Sequence, residues 1–312
     1  MVKLLSMKTK AIGLISGGLD SMVATLLMMK QGIDAVLLKF ASPFFHSDII
    51  NKQTIEFMGL SARVVNMGNE YFDIIKHPQY GYGSGFNPCI DCKMHMLSIA
   101  KRVMEQEDAA FIFTGDVLNQ RPFSQRKNFF HLIDKRLELE GRILRPLSAK
   151  LLKPTIPEIK GIVNREELLG ISGRSREQQL KIASEHNLSG YSQPSGGCLL
   201  TDKIFSKRIK DLLNNWPEST LDDAELIKHG RIFWYKKNLI VIGRNQNENR
   251  MLELLLKSGD VVVEINDIPC PVCVIRGKDI TDEVIQYAKG KILEYTPKAK
   301  GKSVDYLIRM KE

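Results

Sequence analysis

The sequence predicts an α/β fold: a doubly wound parallel sheet through the first two thirds of the chain, then a smaller α+β domain. Three observations carry this expectation. Short apolar runs alternate with helix-forming segments across the first half, as strands joined by right-handed crossover helices do. In KAIGLISGGLDSMVA (residues 10–24) an apolar run halts at two glycines and a polar turn, then resumes as a helix former. A parallel sheet presents its ligand loops in this way, at the carboxyl ends of its strands. Beyond about residue 204 the alternation gives way to paired strands and amphipathic helices.

In chain order, buried strands are expected at 11–16, 35–40, 62–66 and 110–114, with helices at 21–31, 50–59 and 91–106. Two polar loops, HPQYGYGSGFNP before Cys89 and GDVLNQRPFSQ after the fourth strand, lie where function usually sits. Residues 148–190 read as helical and charged, punctuated by KPTIPEIKG. A boundary near Asp202–Phe205 divides a catalytic domain (1–204) from an α+β domain (205–312). The second domain reads as a helix at 205–215, a hairpin RIFWYKKNLIVIGR turning at Lys237-Asn238, and a helix at 247–257. Strands at 261–265 and 271–277, a helix at 281–295 and a last strand at 304–310 complete it.

Composition narrows the class. With 312 residues, 43% of them hydrophobic, the chain can bury two cores. No apolar run approaches the ~20 residues that span a bilayer, and MVKLLSMKTK is too short in apolar run and too charged for a signal peptide. A cytoplasmic protein with no membrane partner is therefore expected. The net charge of +9 suits a polyanionic partner. Five cysteines, an odd number, argue against a disulfide framework. They fall as Cys89/Cys92, the isolated Cys198, and Cys270/Cys273.

The opening turn suits an oxyanion. Gly17 and Gly18 let backbone N–H groups converge, the helix after them adds its dipole, and the hydroxyls of Ser16 and Ser21 donate. The turn lacks the Walker lysine and does not fit G-x-G-x-x-G. Asp20 would repel phosphate unless it holds Mg²⁺ or orients the loop; the plain alternative is a helix cap. S-G-G-L-D-S resembles the PP-loop of the ATP pyrophosphatase superfamily. That resemblance implies ATP cleaved between its α and β phosphates, adenylation of a substrate oxygen, and displacement of AMP by a nucleophile.

The cysteines choose among superfamily members. N-P-C-I-D-C-K (87–93) and Q-P-S-G-G-C-L-L-T (193–201), with T-G-D-V-L-N-Q-R-P-F-S-Q, R-P-L-S-A-K-L-L and S-G-R-S-R, are similar to tRNA thiouridylases and to a family labelled 2-thiouridylase-like or methyltransferase-like. No S-adenosylmethionine-type glycine motif accompanies them. The resemblance implies that sulfur replaces a uracil oxygen of tRNA, with sulfide or a persulfide carrier as donor. Two schemes follow. In one, Cys198 bears a persulfide that Cys92 resolves, and Cys89 is idle. In the other, favoured on ligand count, Cys89, Cys92 and Cys198 hold a [4Fe–4S] cluster. A zinc site completed by His95 is a third arrangement.

Gly115 and Asp116 lie at the PP-loop edge of the sheet and are candidates for nucleotide contact. Arg121 and Arg126, and Arg174 and Arg176 of S-G-R-S-R, are candidates for RNA phosphate. From about 206 onward the chain resembles, more weakly, the RNA-binding domain of NFACT proteins. Arg244, Asn245, Asn247 and Arg250 of G-R-N-Q-N-E-N are then the candidate RNA contacts. Cys270 and Cys273 stand three apart in an extended segment, on opposite faces, and read as structural. The expected function is an ATP-dependent tRNA thiouridylase. Its rivals are a non-thiolating PP-loop ligase acting on RNA and a non-catalytic RNA-binding factor; whether the chain forms a homodimer is not written in the sequence.

Overall fold

A computed structural model describes residues 9–45, 61–191 and 198–312. The helix expected at 50–59 and the Gln193–Gly197 part of Q-P-S-G-G-C-L-L-T lie outside the described residues. The chain divides into two units, Met1–Thr201 and Asp202–Glu312, each built on its own five-stranded sheet.

The first unit strings together β1 (Lys10–Leu14), α1 (Leu19–Lys30), β2 (Asp34–Ala41), β3 (Ala62–Asn66), α2 (Asn69–Lys76), α3 (Cys89–Gln106), β4 (Phe111–Thr114), α4 (Lys127–Arg136) and β5 (Ile143–Leu144). All its pairings are parallel, in the order β3-β2-β1-β4-β5. Alternation along the strands gives the sheet two apolar faces, as a doubly wound sheet requires. Ala11, Leu37, Phe111 and Phe113 pack with Leu19, Met22 and Val23 of α1 on one face. Ile12, Leu38, Ile112 and Ile143 pack with Ile90 and Leu97 of α3 and Ile133 of α4 on the other. Chain direction across the sheet reverses between β1 and β4, so their carboxyl ends form the switch point where such folds take ligands.

Residues 148–190 correct the expectation of a helical segment. Only α5 (Ile156–Ile159) and α6 (Glu177–Glu185) are α-helical, with single 3₁₀ turns at Ala149–Leu151 and Arg165–Glu167. Pro154 keeps the chain out of helix before Ile156, Pro157 sits in the first turn of α5, and the left-handed Gly161 and Gly173 stop the helix from continuing.

The second unit contains α7 (Lys203–Asn215), α8 (Leu221–Leu226), β6 (Arg231–Tyr235), β7 (Asn238–Ile242), α9 (Gln246–Leu254), β8 (Val261–Ile265), β9 (Cys273–Arg276), α10 (Asp282–Glu294) and β10 (Tyr306–Met310). Its sheet is antiparallel, ordered β10-β8-β9-β7-β6, and Val284, Ala288 and Ile292 of α10 pack on one face. The hairpin turns at Lys236-Lys237, one residue earlier than the sequence suggests. Both residues have positive φ, and Asn238 is already paired with Tyr235. Buried Arg276 bonds Asp260 (2.7 and 2.9 Å) and Asp223 (3.0 Å), joining β9 to the turn before β8 and to α8. Cys273 is fully buried on β9, while the Cys270 sulfur accepts from the Ile265 N–H (3.1 Å). Burial pushes both thiols up.

Candidate active site

A cleft of about 550 Å³ opens at the carboxyl ends of β1 and β4. Ser16, Gly18, Asp20 and Ser21 form one wall, Gly115, Asp116, Gln120 and Arg121 another, and Cys89, Cys92 and Cys198 a third. The phosphate-type turn is held by its own hydroxyls. Gly17 takes a left-handed φ of 76°, which turns the chain out of β1. Ser16 Oγ then accepts from Gly18 N–H (3.3 Å), and Ser21 Oγ donates to the Gly18 carbonyl (2.9 Å) while lying 3.2 Å from Ser16 Oγ. Gly18 takes the N-cap position of α1 with no side-chain cap, so Asp20 stands inside the first turn rather than capping it.

Asp20 is gripped from outside its own loop. Gln120 donates Nε2–H to one carboxylate oxygen and Gln179 of α6 to the other, both at 3.0 Å. Gly115 lets the loop after β4 press on the same turn: a Cβ there would lie 2.5 Å from Ser21 N. Asp116 lines the cleft, yet its oxygens are committed. Lys93 Nζ (2.7 Å) and Gln125 Nε2 (2.9 Å) donate to one, and Thr114 Oγ1 (2.9 Å) to the other. Burial alone would raise this carboxyl, but the charges of Lys93 and Arg145 and the donated hydrogen bonds hold it well below the usual carboxylate range. Asp116 therefore braces α3 against the loop.

The cysteines arrive from two directions. Cys89 and Cys92 occupy the first turn of α3, on one face at i and i+3. Asp91 between them is turned away, accepting from Gln79 N–H (2.8 Å) and Tyr80 N–H (3.2 Å). Cys198 is brought in by bridging to Phe45, and its sulfur accepts from the backbone of Leu200. Burial pushes the Cys92 thiol up to about 12, with the Tyr71 hydroxyl pulling the other way, and the Cys198 thiol up to about 11. The three sulfurs are within electrostatic reach of one another. Among the described residues, however, no three of His, Cys, Asp or Glu close around a single ion. The His95 ring, the fourth ligand of the zinc arrangement, stacks on Tyr71. Three thiols line one cleft, and thiols are the donor type that an iron–sulfur cluster takes.

Arg121, Arg174 and Arg176 line the cleft, whereas Arg126 is exposed at the N-cap position of α4 and does not. In the second unit, Asn245 caps α9 by accepting from Glu248 N–H (3.0 Å), and Arg244 pairs with Glu248. Asn247 and Arg250 are exposed on α9. Sequence reasoning passed over a run of rings and cations beside the edge strand β6. Tyr235 stacks on Tyr287 (4.3 Å, 6°), Lys291 Nζ lies 5.2 Å from the Phe233 ring, and Arg231 lies 4.3 Å over Tyr295. The signal was present in the aromatic alternation of RIFWY. Gln179 and Tyr71 were also passed over, and Gln120 and Asn87 were read only as members of their loops; all four act through contacts that no local pattern encodes.

Two family models match separate parts of the chain. Residues 6–159 match the family of thiamine biosynthesis protein (ThiI), and residues 230–312 match the NFACT protein RNA binding domain. Relatives named probable tRNA sulfurtransferase occur in Caldanaerobacter subterraneus subsp. tengcongensis, Methanothermobacter thermautotrophicus and Methanocaldococcus jannaschii. The first is 27% identical over 114 residues, covering 36% of this chain and 30% of the relative. The other two are 28% identical over 148 and 152 residues, each covering 44% of this chain and 36% of the relative. The matched part thus spans about a third of these relatives' length. Among solved structures, a 4-thiouridine synthetase–RNA complex with bound ATP aligns with a TM-score of 0.36 at 21% identity, covering 58% of this chain and 53% of that one. A predicted subunit of tRNA methyltransferase from Methanocaldococcus jannaschii aligns with a TM-score of 0.34 at 15% identity, covering 62% and 96%. No helix among the described residues is long and apolar enough to cross a membrane. Residues 6–159 are thus similar to the ThiI family and residues 230–312 to the NFACT protein RNA binding domain.

Proposed function

We propose that this protein is an ATP-dependent tRNA sulfurtransferase. The observation that carries the reading is a single cleft lined both by the Ser16–Ser21 turn and by Cys89, Cys92 and Cys198. An amidating or lysidine-forming ligase needs the turn but not three cysteines. A non-catalytic RNA-binding factor needs neither.

ATP binds with its phosphates on the N–H groups and hydroxyls of the turn, at the positive end of α1. The uracil carbonyl oxygen attacks the α-phosphate, breaking the bond to the β-phosphate and releasing pyrophosphate. A sulfide-level sulfur then attacks the activated carbon, and AMP leaves with the former uracil oxygen. Asp20, oriented by Gln120 and Gln179, keeps lone pairs for Mg²⁺, which supplies charge neutralisation at the phosphates. Cys89, Cys92 and Cys198 would hold a [4Fe–4S] cluster, which would supply iron to carry sulfide. Arg121, Arg174 and Arg176 meet the RNA backbone at the cleft mouth. The Tyr235–Tyr287 stack of the second unit offers aromatic surface to unpaired bases. ATP turnover assayed with and without tRNA and sulfide tests the reading: pyrophosphate release that ignores both would point to another ligase.

A further inference from the structure

The glycine-rich loop YGYGSGFNP (residues 80–88) is folded around one side chain. Asn87 is buried, and its backbone carbonyl accepts from Gly83 N–H (2.9 Å) and Cys89 N–H (3.0 Å). Its side-chain oxygen accepts from Gly85 N–H (2.9 Å). The remaining group, Nδ2–H, donates to Cys89 Sγ at 3.1 Å. Gly83 makes room for it, since a Cβ there would lie 2.4 Å from Asn87 Nδ2. The loop is anchored on α2, where Tyr82 stacks on Phe86 (4.3 Å) and donates its hydroxyl to the Ile75 carbonyl (2.7 Å).

The other two sulfurs are treated alike by unrelated donors. Tyr71 is wedged among Phe44, Phe45 and His95, and its hydroxyl bonds the Cys92 sulfur. The Leu200 backbone bonds the Cys198 sulfur. That turn is locked by Thr201, whose N–H (3.0 Å) and Oγ1 (2.7 Å) both donate to the Cys198 carbonyl, and by Phe86 N–H on the Leu200 carbonyl (2.9 Å). A side-chain amide, a phenol and a main-chain amide thus each reach one of three cysteines from different parts of the chain.

A sulfur that serves as a ligand must be held in one direction, and an outer hydrogen-bond donor built into the fold does that. A cysteine that only fills space has no use for one. The persulfide scheme employs Cys92 and Cys198 and leaves Cys89 without a task, yet the most elaborately built donor, Asn87, serves Cys89.

We infer that Asn87 and Tyr71 are positioning residues that aim the Cys89 and Cys92 sulfurs as ligands, so that Cys89 is a working member of the three-sulfur set. This inference rests on the cluster reading proposed above. The test uses the full chain, purified without oxygen, as wild type, Asn87→Asp and Tyr71→Phe. Asn87→Asp keeps the acceptor for Gly85 but turns a carboxylate oxygen on Cys89 in place of the donor and adds a negative charge, so it is read beside Tyr71→Phe, which adds none. Tyr71→Phe keeps the ring packing and removes only the hydroxyl. Thermal unfolding of each is recorded first, so that if one variant unfolds the other still decides. Each is then loaded with ferrous iron and sulfide, and bound iron, acid-labile sulfide and the rate of iron loss to a chelator are measured. The wild type should hold both elements, and each folded variant should hold iron about 10- to 100-fold more weakly, the usual cost of removing an outer-shell partner. A wild type that loads beside folded variants that load equally well overturns the inference and leaves the cluster reading standing. A wild type that takes up no iron overturns both.

Discussion

Replacing Gly115 with Ala crowds the backbone of the candidate phosphate turn without removing any of its side chains. A Cβ at this position would lie 2.5 Å from Ser21 N, 2.6 Å from Ser21 Cα and 2.7 Å from the Asp20 carbonyl carbon. Ordinary contact starts near 3.4 Å, so relief requires a movement of about 0.9 Å, the difference between 3.4 and 2.5 Å. All three atoms are backbone, and no side-chain rotation can supply that movement. Either the loop after β4 or the first turn of α1 must shift. Overpacking of this kind costs about 1–3 kcal/mol, or roughly 2–12 °C in melting temperature for a unit of this size. A shift near 1 Å at a reacting centre costs on the order of 10²-fold in rate. Gly115→Ala should therefore melt a few degrees early and lose most tRNA-dependent pyrophosphate release, while RNA affinity stays near that of the wild type. Wild-type turnover together with a wild-type melting temperature would refute the claim that this loop sets the geometry of the turn.

Asp20→Ala should abolish pyrophosphate release and leave tRNA binding nearly intact in a gel-shift or anisotropy assay, because Asp20 serves the metal and phosphates rather than RNA. Arg276→Met leaves the buried carboxylates of Asp260 and Asp223 without their shared partner (Arg276 is 7% exposed, Asp260 2%), which should cost about 3–5 kcal/mol. Both tryptophans, Trp216 and Trp234, lie in this unit, so their fluorescence during denaturation reports it selectively. Burial opposes ionisation of Asp223, but Thr220, Lys257 and Arg276 hold its carboxyl below the ordinary value. Its stabilisation is thus complete above about pH 4 and is lost as the pH falls below that. The Arg276→Met variant has less of this to lose, and its deficit against the wild type should shrink between pH 7 and pH 3. Tyr287→Ala should weaken binding of unpaired RNA by roughly 1–3 kcal/mol at fixed salt, about 5- to 150-fold, whereas Arg244→Ala, whose guanidinium is already paired with Glu248, should change it little.

What the sequence made legible was local. A strand, two glycines and a helix start are consecutive, so the Ser16–Ser21 turn could be placed before any contact was known. The i, i+3 pair Cys89/Cys92 followed from helix geometry in the same way. Long-range grips left no such trace: Gln120 and Gln179 reach Asp20 across 100 and 159 residues. Elsewhere a local signal was present and lost to another reading. Asn245 three residues before Glu248 is a helix-cap pattern, and capping occupies the side chain that looked free for RNA. Asp116 looked like a nucleotide contact because it sits at the sheet edge, but its neighbours in space, Lys93 and Gln125, take its oxygens. In residues 148–190, apolar spacing suggested helix while proline and left-handed glycine kept it to short pieces.

The most direct test of the central claim is nucleoside mass spectrometry of unmodified tRNA after incubation with the iron-loaded protein, ATP, Mg²⁺ and sulfide, with AMP and pyrophosphate counted in the same reaction. The account predicts a thiouridine that appears only when ATP and sulfide are both present, in one-to-one ratio with AMP. ATP turnover that yields AMP and pyrophosphate while every uridine keeps its oxygens would contradict it.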